Sequence, residues 1–164
     1  MPLPFPLKEL LEKAASKKPG FSGVAARVKK MKPQQADVLF RNRHLQAFEQ
    51  IKCLECANCC KILGPRISHN DIRRMAGALK IKQSDFIVTY LKTDEDNDFV
   101  FQSMPCPFLM ADNYCTIYEN RPKACRNYPH TDQKNIRGIL SVCLKNTEIC
   151  PAVYLIFEEL SKQH

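Results

Sequence analysis

The chain has 164 residues, 45% of them hydrophobic and 26% charged, the balance of one soluble globular domain with or without an appended arm. Its formal net charge is +8, and no run of about 18 apolar residues occurs, which excludes a membrane-spanning helix. Nine cysteines, against five glycines and no tryptophan, are the unusual feature.

In chain order, Leu7 to Lys18 reads as a short amphipathic helix ended by Pro19-Gly20. Phe21 to Lys32 is basic and glycine-punctuated, and is expected as a loop or partly ordered arm. Pro33 opens a second helix to about Lys52, with Val38, Leu45, Phe48 and Ile51 as its expected core stripe. Ser68 is placed to cap a third helix, with Asp71 three residues on completing a capping box and Ile72, Met75, Ala76 and Leu79 at helical spacing. A helix from about Gln83 to Lys92 follows, then an acidic turn from Asp94 to Asp98. Phe99-Val100-Phe101 alternates as a strand, and Tyr114 to Tyr118 is its expected hairpin partner. Pro151 at a first helical position opens a last helix to about Lys162 that buries Val153, Phe157 and Leu160. The expected fold class is mainly α with a small β-hairpin, an irregular cysteine-rich metal-binding domain.

Charge and cysteine content divide the chain. Residues 1–52 carry 11 Lys and Arg against 4 Asp and Glu, a basic helical arm without cysteine. Residues 53–164 carry 14 against 13 and hold all nine cysteines, the expected metal-binding domain. The opening MPLPFPLKELLEK breaks its apolar run with prolines and charges and lacks a signal-peptide h-region, so a cytoplasmic location is expected. In a reducing compartment disulfides are disfavoured, and clustered cysteines read first as metal ligands.

The densest cluster is Cys53-Leu-Glu-Cys56-Ala-Asn-Cys59-Cys60, four thiols in eight residues, followed by Cys106, Cys115, Cys125, Cys143 and Cys150. Thiolates are soft anionic donors that suit Zn²⁺ or iron–sulfur clusters and not Mg²⁺ or Ca²⁺. Cys53, Cys56 and Cys59 reproduce the C-x-x-C-x-x-C run that holds three corners of a [4Fe–4S] cluster, and Cys106 and Cys150 each precede proline as the remote ligand does there. Tetrahedral Cys₄ zinc is the competing centre, since eight thiolates would suit two such sites. A buried thiolate centre of either kind carries negative charge and needs donors or cations beside it. Lys52, Lys61, Arg66, Lys123 and Arg126 lie close in sequence, and Arg126 is the one expected to bind the cofactor by hydrogen-bonding cluster sulfurs. Arg121 is read as a brace of the hairpin against Asp112, and Tyr114, Tyr118 and Tyr128 as aromatics packed round the site.

These residues carry a resemblance. Cys53-x-x-Cys56-x-x-Cys59-Cys60, Cys106-Pro107-Phe108-Leu109, Asp112-x-x-Cys115-x-Ile117-Tyr118, Arg121-Pro122, Cys125-Arg126 and Tyr128-Pro129 resemble the YkgJ-type CxxCxxCC family of zinc- or iron-chelating domains. The similarity runs from residue 53 to about 155. It implies a ligand pool of Cys53, Cys56, Cys59, Cys60, Cys106, Cys115, Cys125 and Cys150. Related domains in flagellin lysine N-methylases imply an iron–sulfur cluster with redox or methyl-transfer-like chemistry.

Other readings carry less. His44, His69, His130 and His164 form no recognisable Cys–His nucleophile signature, although His130 lies close to Cys125 in sequence. No phosphate loop, dinucleotide fingerprint or calcium loop is present. Arg27, Lys29, Lys30 and Lys32 offer an unspecific surface for an acidic protein or nucleic acid. The expected function is cytosolic metal binding, as an iron–sulfur cluster or Zn²⁺ centre. The rival is a structural zinc adaptor that docks a partner through its basic arm.

Overall fold

A computed structural model describes residues 5–163. The helices are α1 (Phe5–Lys29), α2 (Pro33–Gln50), α3 (Cys53–Cys56), α4 (Asn58–Ile62), α5 (His69–Leu79), α6 (Gln83–Tyr90), α7 (Lys123–Asn127), α8 (Leu140–Asn146) and α9 (Pro151–Ser161). Two short strands, β1 (Leu91–Thr93) and β2 (Phe99–Phe101), form one antiparallel hairpin. The fold is therefore mainly α with a small hairpin, as its sequence pattern predicts. No single described helix is long and apolar enough to cross a membrane.

Packing separates two compact units. One is Ala57–Tyr128, with α4 to α7 and the hairpin; the other joins 5–56 to 129–163, with α1 to α3, α8 and α9. The division at residue 52 is one of charge and cysteine content, whereas packing divides the chain at these other points.

In the second unit α9 is the central element, buried at Pro151, Ala152, Val153, Tyr154, Ile156, Phe157 and Leu160. Against it lie α1 and α2. Here the expected break at Pro19-Gly20 is corrected, because α1 runs through both residues to Lys29. A proline inside a helix costs about 3 kcal/mol. The segment beyond it buries Phe21, Val24, Ala25 and Val28, and each large apolar side chain returns about 1.5–3 kcal/mol on burial. Burial therefore outweighs the proline, and the expected loop from Phe21 is helix.

The stripe expected on α2 is corrected in part: Ile51 is buried and Phe48 half-buried as expected, but its other two residues face out. Val38 and Leu45 are 58% and 57% exposed, and the buried face is Ala36, Phe40 and Ala47. Small side chains at 36 and 47 leave room for a neighbouring helix, and Phe40 supplies the bulk. Phe21 meets Tyr154 and Phe157 at 5.6 and 5.7 Å, and Phe40 meets Phe157 at 5.8 Å. Asp37 accepts the N–H groups of Asn135 and Ile136 at 3.0 and 2.9 Å, which holds the 3₁₀ turn leading into α8.

In the first unit α5 begins as read from sequence. Ser68 accepts the Asp71 N–H and Asp71 accepts the Ser68 N–H, a complete capping box. Its buried face, Ile72, Met75 and Ala76, packs with Ile67, Phe86, Leu91, Phe101, Phe108 and Ile117. The hairpin partner is corrected: β2 pairs with β1, with Leu91 opposite Phe101 and Thr93 opposite Phe99. The short turn between them closes at lower entropic cost than the longer connection to Tyr114. Asp94 stabilises that turn by accepting the N–H groups of Asp96 and Asp98 at 3.0 and 2.9 Å. The Tyr114–Tyr118 segment contributes instead one bridge, Leu109 to Cys115.

Replacing Phe21 with alanine should cost about 3–5 kcal/mol in urea denaturation, because it removes a fully buried ring beside α9. A change under about 1 kcal/mol would mean that α1 beyond Pro19 is not docked in solution.

Candidate metal centre

All nine cysteines carry thiols, and the two units hold different sets of them. In the first unit Cys60, Cys106, Cys115 and Cys125 lie close enough for their charges to act on one another. Cys59 hydrogen-bonds to Cys60. In the second unit Cys53 and Cys56 act in the same way on Cys150. Cys143 is completely buried, and burial is the chief influence on it.

Local structure explains how the first set is gathered. Cys60 lies on the short helix α4, and its carbonyl accepts the Cys106 N–H at 2.8 Å. Cys106 and Cys115 lie at the edge of the core, and the residues two positions on, Phe108 and Ile117, are inside it. Phe108 packs on Tyr90 at 5.0 Å and Phe101 at 5.8 Å, so the chain next to each thiol is anchored by a buried side chain. Cys106 is also approached by the N–H groups of Phe108 and Leu109, and Cys115 by that of Ile117. Such N–H groups stabilise a thiolate once it forms.

Cys125 is placed by a network centred on Asp71, which is 2% exposed. Its carboxylate accepts the Ser68 hydroxyl at 2.6 Å, Arg74 Nη2 at 2.7 Å and the Lys123 backbone N–H at 3.0 Å. Lys123 is the first residue of α7, which carries Cys125. Arg74 Nη2 also donates to the Arg121 carbonyl at 2.8 Å. One buried carboxylate thus fixes the start of α7 directly and, through Arg74, the residue before its cap.

The electrostatics of the thiols diverge. Burial pushes Cys106 up to about 11 and Cys125 up to about 12, and neighbouring thiols add to the effect. Cys115 is raised by burial as well. Cys60 is the exception, held down to about 7 by its hydrogen bond with Cys59, which burial opposes and Lys61 and Arg121 assist. Arg121 is the cation this set feels: it acts on Cys60, Cys115 and Cys125. Its guanidinium carbon stands 3.8 Å from the Tyr118 ring centroid, and Nη1 donates to the Tyr118 carbonyl at 2.6 Å. That stacking holds the charge in place, at about 0.5–2 kcal/mol for a cation over a ring.

The expected brace between Arg121 and Asp112 is therefore corrected, since Asp112 accepts the Tyr114 N–H instead. Arg126 is exposed and, among the described residues, makes no side-chain hydrogen bond or ion pair. Lys52 pairs with Glu55 at 3.2 Å and Arg66 with Asp98 at 2.9 Å. Sequence reading passed over Arg121 as a charge for the thiols and read Asp71 only as a cap. The spacing Tyr118-x-x-Arg121 just before Cys125 was the signal for the first; the second depends on a contact 52 residues away in sequence.

Among the described residues, no three Cys, His, Asp or Glu side chains already stand in an ion-holding arrangement. Neutral thiols have no electrostatic reason to converge, whereas thiolates drawn to one cation do. The donor set itself is soft and suits zinc or iron.

Residues 52–150 match the model of the CxxCxxCC family, described as a "putative zinc- or iron-chelating domain". The chain belongs to the CxxCxxCC family. The matched span takes in every cysteine and runs through both units. No curated protein and no solved structure matches the chain. Membership agrees with the donor chemistry: the CxxCxxCC domain is a zinc- or iron-chelating one.

Two measurements probe this geometry. In the CxxCxxCC chain freed of metal, Cys60 should be alkylated by iodoacetamide well ahead of Cys106 and Cys125, with a midpoint near the value of about 7. Arg121→Gln should move that midpoint upward; peptide mass spectrometry across pH reads both. The second concerns Asp71, whose hydrogen bonds from Ser68, Arg74 and Lys123 outweigh burial and hold its carboxyl below the usual range. Its stabilisation is present above the ordinary carboxylate value of about 4 and is lost as pH falls through the lowered one. Asp71→Asn should cost about 2 kcal/mol at neutral pH, and the gap to the parent should shrink under acid in urea titrations.

Proposed function

We propose that this chain is a cytosolic metal-holding protein whose principal centre, an iron–sulfur cluster or a zinc ion, is bound by Cys60, Cys106, Cys115 and Cys125. The gathering of these four thiols within one unit, with Lys61 and Arg121 acting on Cys60, carries the reading. Four thiolates complete the coordination of either a [4Fe–4S] cluster or a tetrahedral zinc.

The residues round the sulfurs suit an anionic centre. N–H groups of Phe108, Leu109 and Ile117 and the charge of Arg121 offset negative charge on bound sulfur, and the aromatic core excludes water on one side. A bound cluster would supply one-electron chemistry, in electron transfer or in support of a modification reaction of the methyl-transfer kind. Bound zinc would make the chain a structural adaptor. The exposed Lys29, Lys30 and Lys32 favour that second role, since they offer positive charge to an acidic protein or nucleic acid.

Anaerobic purification followed by an absorption spectrum and analysis for iron, zinc and acid-labile sulfide tests the proposal. A brown protein absorbing near about 400 nm, with about four irons and four sulfides, is expected for the cluster, and a colourless zinc protein for the adaptor. Loss of that metal in Cys106→Ser, with secondary structure kept, is expected in both cases. A folded chain with all thiols titratable and neither metal would overturn the reading.

A further inference from the structure

We propose that the outward face of α2, together with the lysine turn that precedes it, is a docking surface for an acidic amphipathic helix of another protein. The inference rests on the adaptor reading and names its class of partner. It concerns only the unit made of 5–56 and 129–163.

α2 turns its larger aliphatic residues to solvent. Val38 and Leu45 are more than half exposed, while Ala36, Phe40 and Ala47 are buried. Seven residues of helix rise about 10 Å and make almost two full turns, so these two side chains stand in line on one face. Arg41, also exposed, lies one turn from each of them. A lone exposed aliphatic residue is ordinary, whereas two at i and i+7 give the anchor spacing that an opposing helix uses.

Charge sets this face apart. Along α1 the lysines are neutralised within the chain, Lys8 by Glu12, Lys13 by Glu9, Lys17 by Glu158 and Lys18 by Glu148. At the corner between α1 and α2 that pattern stops. Among the described residues, Lys29, Lys30, Lys32 and Arg41 are exposed and enter no ion pair. The first turn of α2 holds no acidic residue, and the Asp37 carboxylate is taken by the N–H groups of Asn135 and Ile136. The corner is also ordered: the Lys30 and Met31 N–H groups donate to the Arg27 and Val28 carbonyls at 3.1 and 3.0 Å. Fixed positive charge thus borders an apolar line, and carboxylates flanking an apolar stripe are its complement.

Other occupants fit less well. Glu49 is exposed on the same line as Val38 and Leu45, and it repels phosphate. Phe40 is buried and Phe48 stacks on His44 at 4.5 Å, so neither offers a nucleic-acid base a platform. A second copy would set one Glu49 against three lysines and add another net charge of +8.

Fluorescence anisotropy with the full chain tests this on three labelled probes. The first is a helical peptide of about twenty residues with leucine at i, i+3, i+4 and i+7 and glutamate elsewhere. The second is that peptide with serine for leucine, and the third a single-stranded oligonucleotide of equal charge. The first should bind at least about tenfold more tightly than the others, and salt should weaken it. Val38→Ser/Leu45→Ser and Lys30→Glu/Lys32→Glu should each cost it at least about tenfold in affinity, with the helical circular dichroism kept because all four residues are exposed. Unchanged affinity in either double variant, equal binding of the serine peptide or tighter binding of the oligonucleotide would overturn the inference. Self-association in sedimentation that Val38→Ser/Leu45→Ser abolishes would overturn it in favour of a second copy. Iron and zinc are measured on the same samples. Peptide binding by a chain without metal defeats the metal-holding reading alone, and a metal-loaded chain that ignores the leucine peptide defeats this inference alone.

Discussion

Burying sulfur is the constraint on which this arrangement depends. A thiol is content in an apolar setting, and a thiolate is not, so burial drives Cys106, Cys125, Cys143 and Cys150 up to about 11 or 12. Metal ligation needs the opposite state. The chain meets the conflict with fixed donors: backbone N–H groups directed at Cys106, Cys115 and Cys150, and the charge of Arg121 stacked on Tyr118. These do not suffice to ionise most of the thiols unaided. They reduce the work a cation must do, because a cation that ionises the thiols finds the surrounding dipoles already oriented.

Core and thiol set share residues in the first unit. Phe108 and Ile117 belong to the aromatic and aliphatic cluster beneath α5, and Cys106 and Cys115 lie two residues before them, packed at its edge. Each cysteine opens a turn, closed by the Leu109 N–H on the Cys106 carbonyl at 3.0 Å and by the Tyr118 N–H on the Cys115 carbonyl at 3.2 Å, so the thiol and the residue two positions on share one fixed turn. Anchoring Phe108 and Ile117 therefore fixes the backbone that presents the sulfurs. Asp71 adds a polar counterpart, capping α5 and holding the N-terminus of α7 with the same carboxylate. Disturbance of the core and disturbance of the thiol set are thus hard to separate in this unit.

Much of this was legible in the sequence where the determinant is local. The capping box at Ser68 and Asp71, Pro151 at the start of α9, the acidic turn and the strand at Phe99 to Phe101 all follow from neighbours within a few residues. The failures have one cause, tertiary burial overriding a local signal. Pro19-Gly20 is a sound helix stop in isolation, yet Phe21 and Val24 gain more from α9 than the proline loses. On α2 the larger apolar residues Val38 and Leu45 face out, and alanines at 36 and 47 face in. Donor chemistry was readable from cysteine spacing, but which thiols come together was not, since Cys60, Cys106, Cys115 and Cys125 are gathered by contacts far apart in sequence. Arg121 was missed for the same reason as Asp71: its role depends on what packs beside it.

The buried hydrophobic cores also say what a metal would add to this fold. Small zinc modules collapse without their ion because little else holds them. Here the aromatic contacts of Phe21, Phe40 and Phe157 in one unit, and of Phe86, Tyr90 and Phe108 in the other, involve no sulfur. Secondary structure does not need a metal to explain it. What a metal changes is the charge state and spacing of thiols that the cores have already brought near one another.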